Sequence, residues 1–328
     1  MVKIQVRRHA AFTKAVTQVS QCDREPGDTL RLDQRTVGAS MKFICFARRA
    51  LGTLLFCVAA SAQSGELFAD SVKSSALGRD LKFTIYLPDG YKDATQKFPV
   101  VYLLHGAGGD EVEWARKGGA VETLDGLIKR GLMRPSIAVM PTAGSSTWWA
   151  DGAAEKVETA LMTELLPYVE GKYKASTERK GRAVAGLSMG GYGALNLSLR
   201  FPTQFCAAGI ISPAIYDPLP PEASASRKAA QFVRDSKFDP DTWKALNYPA
   251  HLDKYAAGTA RVPMWIVSGD HDYLGIALMS AQLHSRMMKI QPKQAELRII
   301  DGDHEWMVFR DALPDALLYV DKQCAAGG

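Results

Sequence analysis

The sequence predicts an α/β fold, a mostly parallel central sheet with helices on both faces. Two observations carry that prediction. From about residue 66 onward, short β-like runs alternate with longer stretches of helical periodicity, the pattern of strands joined by covering helices. One of those strands also runs into the glycine-flanked turn Gly186-Leu187-Ser188-Met189-Gly190 and then into a helical stretch.

In chain order, Leu81 to Leu87 alternates apolar and polar residues and reads as an edge-type strand. Pro99 to Leu104, Ser136 to Met140, Arg182 to Leu187, Cys206 to Ile211, Val262 to Val267 and Leu297 to Ile300 read as buried strands. Between them, Val157, Leu161, Leu165 and Tyr168 recur at helical spacing. Ala194 to Arg200, Leu274 to Ile290 and Met307 to Val320 are the other helical stretches, so the expected order is β-α-β-α throughout. Residues 213–260 differ in texture: Pro213, Pro218, Pro220 and Pro221 interrupt regular structure, and aromatic and charged residues follow. That segment reads either as a lid or substrate wall over the sheet or as a plain surface connection.

The 328 residues are 47% hydrophobic and 23% charged, an ordinary globular composition that excludes a disordered chain. The net charge of +5 is unevenly distributed. Setting aside residues 1–62, which carry ten basic and four acidic side chains, leaves 30 basic and 31 acidic groups. The remainder gives no electrostatic case for nucleic acid or anionic lipid.

The division at residue 62 follows from the run that begins at Met41. It has a basic front of Lys42, Arg48 and Arg49, an apolar stretch from Ala50 to Ala60, and Ala60-Ser61-Ala62 as a small-x-small cleavage site. Residues 41–62 therefore read as a secretory signal peptide. The apolar stretch is about half of the roughly 20 residues that span a bilayer, which argues against stable membrane insertion. Because a signal peptide must stand first, translation is expected to start at Met41, with residues 1–40, which lack periodicity, a non-native or disordered leader or else a genuine basic extension, and residues 63–328 a single domain, secreted or periplasmic. Of the five cysteines only Cys206 and Cys324 remain in that mature chain. An oxidising compartment allows a bridge between them, but nothing in the sequence specifies it.

The strand-to-helix turn at Ser188 is the strongest chemical signal. A serine on so sharp a turn requires small neighbours, and Gly186, Gly190 and Gly191 supply them. The turn also sets Ser188 at the positive end of the following helix, where negative charge on a reacting oxygen is favoured. A serine hydroxyl needs a base, and in folds with this turn the acid and then the histidine come later in the chain. His304, directly after the Leu297 to Ile300 strand, is the expected base, whereas His271 follows the wrong strand and His284 falls in a helical stretch. The acid is expected in Ser268-Gly269-Asp270-His271-Asp272-Tyr273, where spacing does not separate Asp270 from Asp272. A metal site built from Asp270, His271, Asp272, Asp303 and His304 lacks a recognised ligand spacing, so neither metal nor cofactor is expected. The glycine-rich turn His105-Gly106-Ala107-Gly108-Gly109 ends a buried strand, and the amides of Ala107 and Met189 are the expected oxyanion donors, with His105 fixing the turn.

The segments LLHGAGGDEVEW, GLSMGGYGAL, VSGDHDYL and GDHEWMVF, in this order and spacing, resemble the esterase family that includes feruloyl and acetyl-xylan esterases, tributyrin-type esterases, S-formylglutathione hydrolases and mycolyltransferases. The resemblance covers about residues 66–320. It implies the α/β-hydrolase fold, with Ser188 as nucleophile, His304 as base and Asp272 as acid, because the family's acid stands just before an aromatic-Leu pair, here Tyr273-Leu274. It also implies an ester of a sugar or small alcohol as substrate. Trp148 and Trp149 fall where the family has a loop bordering the active site, and are expected to stack on a sugar or phenolic acyl group or to pack into the core. Leu187 stands where S-formylglutathione hydrolases usually carry a histidine, and mycolyltransferases usually use a glutamate as the acid; both departures weaken those readings. An inactive carbohydrate-binding relative is disfavoured by the complete set of three residues. The sequence specifies no oligomeric state.

Overall fold

The computed structural model describes residues 64–153 and 155–327. The expected leader, signal peptide and cleavage site lie outside the described residues. Two strands open the fold, β1 (Glu66–Ser74) and β2 (Arg79–Leu87), paired antiparallel through a tight turn at Gly78, whose φ is +67°. Then come β3 (Val100–Leu104), α1 (Glu113–Arg116), α2 (Ala120–Lys129) and β4 (Ile137–Thr142). α3 (Val157–Ala160) and α4 (Leu166–Lys172) are joined by a wider π-helical turn at Leu161–Leu165, so the predicted helix is continuous but not uniform.

β5 (Arg182–Leu187) leads directly into α5 (Met189–Arg200) and then β6 (Ala207–Ile211). The proline-rich segment folds into short turns, a small hairpin of β7 (Val233–Arg234) and β8 (Lys237–Phe238), α6 (Pro240–Leu246) and α7 (Leu252–Ala257). The chain closes with β9 (Met264–Gly269), α8 (Ile276–Ile290), β10 (Ala295–Ile300) and α9 (Trp306–Ala326). Among the described residues, no helix is long and apolar enough to cross a membrane.

The main sheet has eight strands in the order β1-β2-β4-β3-β5-β6-β9-β10, antiparallel at β1, β2 and β4 and parallel beyond. β3, β5, β6 and β9 are buried along their whole length because helices cover both faces. One face packs on α5 and α8, the other on α2 and α9, giving two separate hydrophobic clusters.

Two expectations are corrected. β2 is an inner strand rather than an edge, because β1 covers its outer side. The helix-strand alternation also begins only after β3, since three strands precede the first helix. Cys206 and Cys324 form a disulfide that bolts the end of α9 to the start of β6.

Candidate active site

All three expected triad residues sit at the carboxyl ends of parallel strands, where open α/β sheets carry their sites. Ser188 lies between β5 and α5 with φ 52° and ψ −114°, a backbone conformation costly for a side-chain-bearing residue. Its amide donates to the Ile211 carbonyl (2.9 Å), and its own carbonyl accepts from Tyr192 and Ala214, so the strained turn is pinned from three sides. The flanking glycines are required sterically. A Cβ at Gly186 would collide with the Gly190 carbonyl, and one at Gly190 with the carbonyl of Leu104. The G-x-S-x-G pattern thus records two close backbone crossings, one within the turn and one between α5 and the end of β3.

His304 bridges the other two residues. Its Nε2 is 2.9 Å from Ser188 Oγ and its Nδ1 is 2.7 Å from Asp272 Oδ2. A carboxylate can only accept, which puts the ring proton on Nδ1 and leaves Nε2 free to accept the serine proton. The Asp272 side chain is 0% exposed and that of His304 11%, so the contact is shielded from water. Asp272 Oδ1 accepts the Leu274 amide (3.0 Å), which fixes the carboxylate in its own turn.

Asp270 points elsewhere. It accepts from the Gly302 amide (3.1 Å) and lies 2.7 Å from His271 Nδ1, in contact with solvent. The Gly302 hydrogen bond holds its carboxyl below the usual range. Of the residues weighed for a metal site, Asp270 and His271 cluster with Asp301 at the surface, and Asp272 and His304 are committed to each other.

The glycine-rich turn after β3 packs against the Ser188 turn, since a Cβ on Gly106 would strike the Leu187 side chain and lie 3.5 Å from the Ser188 Cβ. Gly108 donates to the Ser145 carbonyl (2.7 Å) and Gly109 to that of Gly106 (3.1 Å). Among the described residues, the Ala107 and Met189 amides donate to no other protein group, which leaves both free for an oxyanion. His105 fixes this turn, as expected. Its Nδ1 is 2.8 Å from the Gly106 carbonyl and its Nε2 3.1 Å from Thr142 Oγ1, and burial lowers its pKa so that the ring stays neutral.

Trp148 and Trp149 require correction as substrate-binding residues. They are 1% and 2% exposed. Trp148 joins an aromatic cluster with Tyr192, Phe232 and Trp243, the last two from the proline-rich segment. Trp149 donates Nε1–H to the His105 carbonyl (3.2 Å) and packs on Gly193, whose missing side chain makes room for it. Neither ring offers a free face for stacking; both brace the loops around Ser188. The proline-rich segment itself is anchored on α5, where Tyr192 donates its hydroxyl to the Leu246 carbonyl (2.5 Å).

The chain is similar to several known proteins. The family model described as "Putative esterase" matches residues 74–320. An esterase of Mycobacterium tuberculosis is 31% identical over 183 residues, covering 54% of this chain and 38% of that protein. An endo-1,4-beta-xylanase/feruloyl esterase of Xylanibacter ruminicola is 33% identical over 169 residues, covering 49% of this chain and 23% of that protein. The chain therefore spans well under half the length of these curated relatives. Among solved structures, a ferulic acid esterase has a TM-score of 0.69 at 27% identity, covering 79% of this chain and 99% of its own. A family match that runs from the end of β1 to within α9, over a sheet that sets serine, histidine and aspartate in contact, means that the chain belongs to the esterase family of α/β-hydrolases.

Proposed function

We propose that the protein is an exported serine carboxylic-ester hydrolase that acts through an acyl-enzyme on esters of sugars or small alcohols carrying acetyl, feruloyl or other short acyl groups. The observation that carries the reading is His304, whose two ring nitrogens contact the Ser188 hydroxyl and the enclosed Asp272 carboxylate at the same time.

In the first step His304 Nε2 takes the proton of Ser188 as Oγ attacks the ester carbonyl carbon. The carbonyl electron pair moves onto oxygen, which the Ala107 and Met189 amides receive. Collapse of that adduct breaks the carbon-oxygen bond to the alcohol, which leaves with the proton returned from His304. Water then attacks the acyl-serine by the same route, releasing the carboxylic acid and restoring Ser188. Asp272 keeps the ring proton on Nδ1 and stabilises the imidazolium formed in each half-reaction. The substrate class is supported by the ferulic acid esterase likeness and by the xylanase/feruloyl esterase relative. Export is supported by the signal-like residues 41–62 and by the Cys206–Cys324 bridge, a feature of oxidising compartments.

Hydrolysis of nitrophenyl acetate by the wild type and by Ser188→Ala tests the reading. Loss of at least about 10³-fold in kcat is expected from removing the nucleophile. Equal rates would eliminate it.

A further inference from the structure

The acid and base of the triad stand on different turns, one after β9 and one after β10, and something must hold those turns in register. The ladder between the two strands ends at the pair Ile300 and Gly269. Beyond it, Asp270 N–H donates to the Ile300 carbonyl (2.9 Å) and His271 N–H to that of Gly302 (3.0 Å). The Gly302 amide returns a bond to Asp270 Oδ1 (3.1 Å). Past residue 302 one side-chain atom continues the link. Asp303 Oδ1 accepts the His304 amide at 2.7 Å and the Tyr273 amide at 3.1 Å.

We propose that Asp303 is a positioning residue: a single carboxylate oxygen ties the backbone of the base to the residue that follows the acid, and so sets the spacing between Asp272 and His304. The inference rests on the triad reading above. Among the described residues, the only other hydrogen bond between the two turns past residue 302 is the Asp272–His304 contact itself. Without Asp303, that contact would have to hold the turns together as well as orient the imidazole. Two amides converging on one oxygen favour a charged acceptor, and these bonds hold the Asp303 carboxyl below the usual carboxylate range. An asparagine keeps the oxygen but not the charge. An alanine keeps neither. Asp301 is a control on the same turn, its side chain 96% exposed beside His271 and Asp270 and outside the Asp303 tie.

The test compares Asp303→Ala, Asp303→Asn and Asp301→Ala in two readouts. In nitrophenyl ester hydrolysis, Asp303→Ala should lower kcat roughly 10- to 100-fold with KM within about two-fold, the scale of an ångström-level misplacement. Asp303→Asn should recover to within about five-fold of wild type, and Asp301→Ala should match it. The second readout needs no turnover: ¹⁵N spectroscopy of the His304 ring reports its tautomer. Wild type and Asp303→Asn should hold the proton on Nδ1, and Asp303→Ala should show a mixture. If Asp303→Ala does not fold, Asp303→Ser, too short to reach Tyr273, takes its place. Wild-type kcat and tautomer in the truncated variant would overturn the proposal, as would equal losses in all three variants. A wild type that hydrolyses no ester through Ser188 would refute the esterase reading alone, since the tautomer still tests the tie.

Discussion

Replacing Asp272 by asparagine should separate the two candidate acids and test the proton path together. The side chain is fully enclosed, with Oδ1 taking the Leu274 amide at 3.0 Å and Oδ2 facing His304 Nδ1 at 2.7 Å. Asparagine has one acceptor, and the Leu274 amide claims it. Its NH₂ group then faces Nδ1, where two donors would oppose each other unless the ring proton moves to Nε2. That tautomer presents N–H to Ser188 and cannot accept the serine proton. The shape of the site is unchanged, so the loss should fall on kcat, by about 10³- to 10⁴-fold. This corresponds to roughly 4–5.5 kcal/mol of transition-state stabilisation. Asp270→Asn keeps an acceptor for the Gly302 amide in a solvated position and should stay within a few-fold of wild type. Steady-state kinetics on a nitrophenyl ester, with thermal melts to confirm folding, gives both numbers. A thousand-fold loss in Asp270→Asn with near-normal Asp272→Asn would refute the reasoning.

Two further outcomes concern stability. Cys324→Ser together with Cys206→Ser opens a cross-link over 118 residues of separation; chain entropy sets a ceiling of about 5 kcal/mol, and denaturant titration should show a loss of about 2–4 kcal/mol. Burial lowers the His251 pKa to about 4 and raises that of Glu158, which is paired with Arg200, to about 7. As pH falls from about 6.5 to 4 the unfolded chain gains a proton at His251 that the folded chain refuses, which costs stability; as pH falls from about 7 to 4.5 the folded chain gains one first at Glu158, which adds stability. The two slopes oppose, so relative to wild type the change in unfolding free energy from pH 7 to 5 should be more favourable in His251→Gln and less favourable in Glu158→Gln.

Much of the site was legible because its parts are local. The turn at Ser188 needs glycines wherever backbone crosses backbone, and those crossings leave a five-residue signature. The parallel strands are buried on both faces, so their apolar runs stand out. β1 was not legible: Glu66–Ser74 is half exposed and lacks alternation, and only its pairing with β2 makes it a strand. Asp270 and Asp272 are two residues apart and of equal chemistry, so which one meets the imidazole depends on how the turn bends in three dimensions. Trp148 and Trp149 misled for a related reason. Proximity to the active-site loop was readable, but the partners that bury Trp148, at positions 192, 232 and 243, come from two later segments. Asp303 stood out only as a possible metal ligand; its two amide contacts left no signal, because amides are present everywhere in a chain.

Ser188 follows a strand in the middle of the sheet, whereas His304 follows β10, the outermost strand, which has a neighbour on one side only. Central and marginal strands open with different free energies. Stability at the site is therefore lopsided: warming or mild denaturant should loosen the rim and part His304 from Ser188 while the serine turn, on a central strand, keeps its geometry.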